Sequence, residues 1–299
     1  MEFFMEWPLV LFTIALQLAC GLALAVTLID QKSRSATSKM ARILGISIFP
    51  LTVVGIFSSL MHLGNPLHAA NSLRHLGSSW LSREVLFSGI FAFAALIYSY
   101  FWFKERQSNR VLLGSITTIL GLISIASSSM TYLLPSQAAW NSGWVPMSFL
   151  GTTLLLGAFG ALVLGNLDFS HKSSRTLVCL SVFGGLALIV STVWMLSGLG
   201  QVVEDEVATQ RLQRALHLIT NQYAIWFGLY VLLACVLPFT VMFKYWNGSQ
   251  VSGSNEEPVV TAKGTISSIY TMLFIAVLIG TVIGRALMYV VGVGTLPPF

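Results

Sequence analysis

Charge is what this sequence has least of. Asp, Glu, Lys and Arg make up 9% of its 299 residues, where a soluble globular domain carries about 25%. Hydrophobic residues make up 55%, and the mean hydropathy is +0.79. A sequence so poor in charge cannot build the polar shell of a water-soluble fold. It fits an all-α polytopic membrane protein, in which each span satisfies its own backbone hydrogen bonds. The apolar runs are too long for a transmembrane β-barrel, whose strands alternate apolar and polar over short segments.

Other absences narrow the function. The three cysteines, Cys20, Cys179 and Cys235, are scattered in apolar runs without paired spacing. They exclude a disulfide framework and an iron–sulfur motif. No apolar run carries a histidine in its interior, so bis-histidine haem lacks ligands, and neither haem nor metal is expected in this protein. Phosphate-binding loops, dinucleotide fingerprints and nucleophile elbows are missing. The N-terminus has no basic region before its first apolar run and no clear A-x-A site, so that run is expected to be retained as a span. The net charge of +5 comes from basic residues in short loops, a topology pattern and not a nucleic-acid surface.

What is present is a series of apolar runs of about 20 residues, each long enough to span a bilayer. Eight are expected: Pro8–Ile29, Ile43–Met61, Val85–Phe103, Val111–Leu134, Pro146–Leu167, Thr176–Leu199, Tyr223–Phe243 and Thr265–Val291. Without internal repeats or long soluble loops, residues 1–299 read as a single eight-helix domain. Eleven basic residues fall on one side: Lys32, Arg34, Lys39, Arg42, Lys104, Arg106, Arg110, Lys172, Arg175, Lys244 and Lys263. Arg74, Arg83, Arg211 and Arg214 fall on the other, and Arg285 lies within the last run. The richer side is expected to be cytoplasmic, which puts both termini in the periplasm of a bacterial inner membrane. The Gly/Ser-rich loop 247–264 is then cytoplasmic and reads as a flexible connection.

One stretch departs from generic membrane sequence: Met61–Leu86, MHLGNPLHAANSLRHLGSSWLSREVL. It is expected on the periplasmic side and holds three of the five histidines, His62, His68 and His75. Asn65-Pro66 is a helix start. Leu67, Ala70, Leu73 and Leu76 recur every third residue, which predicts a short amphipathic helix on the membrane surface. Gly77 suits its C-terminal cap. Ser82 is expected to N-cap the third span and to put Glu84 in its first turn. Two other loops share this side. Trp140 and Trp144 suit an aromatic belt or a docking surface. Glu204-Asp205-Glu206 precedes an amphipathic run, Val207–Leu218, that predicts a second interfacial helix.

Three residues could carry chemistry. His62, at the outer end of the second span, is either a hydrogen-bond acceptor and base or an interfacial histidine satisfied by water. Glu84 is either a proton acceptor facing the bundle or a first-turn carboxylate favoured by the helix dipole. Arg285 needs protein or water around it: pairing with Glu84, binding a carbonyl, or snorkelling to the interface.

These residues bring a resemblance into view. The carrying features are Glu6-Trp7-Pro8; His62-Leu63-Gly64 with Pro66, Ala69 or Ala70 and Asn71-Ser72-Leu73; Leu81-Ser82 and Glu84; Trp140, Trp144 and Pro146-Met147; and Ile283-Gly284-Arg285 with Tyr289. With them the whole sequence resembles the membrane anchor subunit of anaerobic dimethyl sulfoxide reductases, the DmsC family. The resemblance implies a haem-free anchor that oxidises menaquinol. It also implies two partners on the periplasmic face: an electron-transfer subunit with four iron–sulfur clusters and a molybdopterin catalytic subunit. By motif match, the quinol-site histidine falls on His62 and the glutamate on Glu84, with Arg285 a third binding candidate. The rivals are a polysulfide reductase or NrfD-type quinol-linked anchor, a secondary transporter, and an anchor with no chemistry. A transporter is disfavoured because the polar residues gather at one membrane edge and not at midplane.

Overall fold

A computed structural model describes residues 6–32, 39–61, 66–165, 171–243 and 261–293, with side chains for 6–31, 41–61, 71–163, 175–243 and 270–292. The described residues are helical apart from short turns. Helices α1 (Trp7–Lys32), α2 (Lys39–Met61), α3 (Trp80–Phe103), α4 (Arg110–Met130), α5 (Trp144–Gly165) and α6 (His171–Leu199) come first. The short helix α7 (Glu206–His217) follows, then α8 (Ala224–Phe243) and α9 (Thr261–Val293). Eight of these nine, all but α7, are long and apolar enough to cross a membrane. Each expected span is present. The fourth ends earlier, at Met130, and the eighth starts earlier, at Thr261. The expected flexible stretch 247–260 lies outside the described residues.

Because consecutive spans reverse direction, the connections fall on two faces. The aromatic face carries 66–79, 131–143 and 200–223. The basic face carries Arg42, Lys104, Arg106 and Arg110, where Arg42 pairs with Glu105 across the start of α2 and the end of α3. At the centre is α1, packed against α2, α4 and α5 and touching α6 and α9. Its approach to α5 is set by two glycines: a Cβ added at Gly21 would sit 2.8 Å from Gly157 Cα. Membrane helices gain no hydrophobic stabilisation from one another, so backbone contact through small residues supplies the packing energy.

Pro50 lies inside α2, where it removes a backbone donor. Ser99 of α3 supports the ladder there. Its hydroxyl accepts from Phe49 N at 3.2 Å and donates to Gly45 O at 2.9 Å. A neighbouring hydroxyl is one way a membrane helix tolerates a proline.

On the aromatic face, the expected surface helix is a 3-10 helix, Pro66–His75. Its strict apolar period of three fits three residues per turn better than 3.6. Gly77 does not take the left-handed C-cap conformation, since no described glycine has positive φ. Instead Arg83 reaches back to cap the segment, with Nε donating to Leu76 O at 2.9 Å and Nη2 to Gly77 O at 2.8 Å. The N-cap of α3 is Ser79, not Ser82: Ser79 Oγ accepts from Ser82 N. The second interfacial helix is present as α7, capped by Asp205, whose carboxylate accepts from Val207 N at 2.9 Å.

Candidate functional site

The earlier start of α3 changes the meaning of Glu84. The helix begins at Trp80, so Glu84 lies beyond the first turn and its side chain points into the bundle. It is 6% exposed. Ser128 of α4 donates to Glu84 Oε1 at 2.5 Å. Of the two readings of Glu84, a buried inward carboxylate replaces a dipole-favoured helix end.

Beside it stands a pair of tyrosines. The hydroxyls of Tyr132 and Tyr289 are 2.5 Å apart, joining the end of α4 to α9. Both lie within electrostatic reach of Glu84 and of Arg285. Trp140 closes this group. It stacks edge-on against both tyrosine rings, and its Nε1 donates to Met288 O at 2.8 Å. Trp144 Nε1 donates to Ala139 O at 3.0 Å. Trp140 and Trp144 are 9% and 4% exposed, which corrects the expectation of a belt or docking surface: both are core. Trp7, Trp80, Trp194 and Trp226, exposed on the same side, are outward aromatics.

Arg285 is buried and does not pair with Glu84. Its Nη2 donates to Gln17 Oε1 at 3.2 Å, and Nη1 approaches Met288 Sδ at 3.3 Å. Its guanidinium carbon lies 3.7 Å from the centroid of Phe149. No described carboxylate lies within 4 Å of it. His62 falls outside the described residues. The elements on either side of it, α2 to Met61 and the 3-10 helix from Pro66, end on the face where Glu84 lies. Thus Glu84 and Arg285 share one buried cluster through the tyrosine pair. Among the described residues, no group of three or more His, Cys, Asp or Glu could hold a metal.

Below Glu84 the α3–α4 seam stays polar in two pieces. Ser88 and Ser124 hydroxyls are 2.9 Å apart. One level on, Phe91 and Cys20 fill the seam against Gly121, where a Cβ would meet both side chains within 3 Å. Polar contacts then resume. Thr117 donates to Ala94 O, and the Tyr98 and Thr27 hydroxyls are 3.2 Å apart. Arg110 forms a buried bidentate pair with Asp30, with Nε to Oδ2 at 2.8 Å. The Arg110 guanidinium carbon also lies 3.8 Å from the Trp102 ring centroid. Sequence alone places Arg110 among the loop charges and misses this pair. The available signal is Asp30, an acid at the end of an apolar run.

Known proteins are similar to this sequence over half to nearly all of its length. The model of the family described as the DMSO reductase anchor subunit, DmsC, matches residues 1–291. The C subunit of the anaerobic dimethyl sulfoxide reductase of Escherichia coli is 30% identical over 295 residues, covering 95% of this protein and 94% of that one. The C subunit of the Haemophilus influenzae anaerobic dimethyl sulfoxide reductase is 31% identical over 159 residues, 51% of this protein and 56% of the relative. The YnfH subunit of an Escherichia coli anaerobic dimethyl sulfoxide reductase is 34% identical over 159 residues, 51% of this protein and 55% of that one.

Proposed function

We propose, from the premise that this chain belongs to the DMSO reductase anchor subunit (DmsC) family, that it does more than hold its complex to the membrane. As a multi-pass anchor it serves catalytic and electron-transfer subunits. In our reading it also oxidises menaquinol for them, on a periplasmic aromatic face, in a bacterial inner membrane. The observation that carries the reading is Glu84, a buried carboxyl hydrogen-bonded to Ser128 beside the Tyr132–Tyr289 pair.

Quinol enters sideways from the outer leaflet. Oxidation breaks two O–H bonds and releases two electrons and two protons, and a lipid edge offers no base. His62, with an unperturbed pKa of about 6.5, takes one hydroxyl proton. Glu84 takes or relays the other toward the periplasm. Arg285 supplies fixed positive charge behind the tyrosines, which stabilises negative charge as it develops. The electrons leave to the nearest cluster of a four-cluster iron–sulfur subunit docked on this face, and from there to a molybdopterin subunit. The anchor itself holds no redox centre in the scheme.

The test is substitution in the assembled complex. His62→Ala and Glu84→Ala should each lose most quinol-linked reduction and keep dye-linked reduction, which feeds the catalytic subunit directly. The double variant should lose no more than either single one, since both groups serve one step. Full quinol-linked activity in the His62 variant would reduce the protein to a structural anchor.

A further inference from the structure

A cavity of about 30 Å³, lined by Arg285 but by neither tyrosine of the pair, lies between α5, α6, α8 and α9. Its volume decides first what it cannot hold. Small-molecule pockets run to about 300–1,000 Å³, so a quinone headgroup is excluded. A water needs about 10–15 Å³ on this measure, which leaves room for two or three.

The lining then decides between water and a small anion. Every serine and threonine hydroxyl here already donates to a carbonyl. Ser148 donates to Val145 O, Thr152 to Ser148 O, Ser191 to Trp144 O, Thr192 to Leu188 O and Thr281 to Leu278 O. With the Thr192 proton so used, Tyr230 must be the donor in its 3.0 Å contact with Thr192 Oγ1. These hydroxyls therefore offer lone pairs to the cavity. Against them stand the donors of one residue, Arg285: its Nε–H is buried and without a partner among the described residues, and each Nη carries a second N–H beyond the one that meets Met288 Sδ or Gln17 Oε1. An anion held by this one guanidinium would meet the lone pairs of five hydroxyl oxygens that have no proton left to give it. Water matches the pattern: it accepts from Nε and donates to hydroxyl oxygens.

We infer that this cavity is an internal water site that solvates Arg285. A guanidinium at this depth is costly unless it is paired or hydrated, and no described carboxylate is within reach. Hydration of its Nε–H leaves the charge in place for the tyrosine pair, which feels it. The water has a route of exchange. A second, larger cavity of about 290 Å³ lies between the 131–143 turn, the end of α6 and α7, on the aromatic face. Trp144 and Met195 line both cavities, so exchange passes between these two side chains.

X-ray hydroxyl-radical footprinting of the complete complex in nanodiscs tests this, since radicals form in place from adjacent water. Met288 lines the cavity, whereas Met242 is equally buried and lines neither. Met288 should oxidise several-fold faster than Met242. Thr152→Val with Thr281→Val, which deletes two acceptors at nearly constant shape, should bring Met288 down to the rate of Met242. Equal rates for the two methionines in the unaltered protein would overturn the site, whatever the variant does. Replacing chloride by gluconate should leave Tm unchanged, and a loss of stability would give the cavity to an anion instead of water. None of these outcomes depends on quinol oxidation.

Discussion

Glu84 and Ser128 show how far a single residue could be read from sequence. An acid in an apolar setting is conspicuous, so Glu84 was legible. Its partner was not, because α4 carries Ser124, Ser127, Ser128 and Ser129 in close succession. Only the rotation of the helix selects one of them. A net hydrogen bond contributes about 0.5–1.5 kcal/mol, so we predict that Ser128→Ala slows quinol-linked reduction about two- to tenfold without touching dye-linked reduction. An unchanged rate would mean that Ser128 does not position Glu84. Arg110 makes the opposite point. Its charge suited a cytoplasmic loop, yet it is 2% exposed and paired with Asp30. Breaking a buried pair from one side leaves an uncompensated charge, at about 3–5 kcal/mol. Asp30→Asn is therefore expected to lower the unfolding midpoint of the purified complex. Asp30→Leu combined with Arg110→Met should recover much of the loss, and equal damage from both would argue against the pair. His62 remains a reading from motif alone, tested by its own variant.

At the scale of elements, span existence followed from apolar length, and each expected span has its helix. Caps and faces were harder. Ser79 and Ser82 are both sound N-cap residues, and the choice between them moved Glu84 out of the first turn. Trp140 and Trp144 have the composition of a belt, but Trp140 packs directly against Gly292 and Trp144 is enclosed by the 131–143 turn. A tryptophan near an interface reads the same whichever way it faces. Glycines divide just as sharply. Gly157 meets the α1 backbone, whereas Gly89 on α3 has nothing within 4 Å of an added Cβ. We predict that Gly157→Leu abolishes accumulation of the folded anchor in membranes, while Gly89→Leu accumulates normally. Normal levels of the Gly157 variant would show that the α1–α5 contact is dispensable.

At the scale of the whole molecule, the dry layer of Phe91, Cys20 and Gly121 separates the Glu84 half of the polar seam from the Asp30–Arg110 half. With quinol, partners and proton release all on one face, no charge crosses the bilayer in the proposed reaction. Quinol-linked turnover in proteoliposomes should then be indifferent to an imposed membrane potential. A rate that falls as the potential is raised would contradict this. The same architecture sets a schedule for the protein's birth. The helix at its centre, α1, leaves the ribosome before the other described helices, and its backbone partner Gly157 follows Gly21 by about 136 residues. At roughly 5–20 residues per second, α1 spends about 7–27 s in lipid before α5 arrives. During that interval Gln17 and Asp30 have neither Arg285 nor, at first, Arg110 to meet. Biogenesis therefore holds a window in which the future hub, joined by α2 and then α4, still lacks its α5 seam and is open to quality-control proteases and to membrane chaperones.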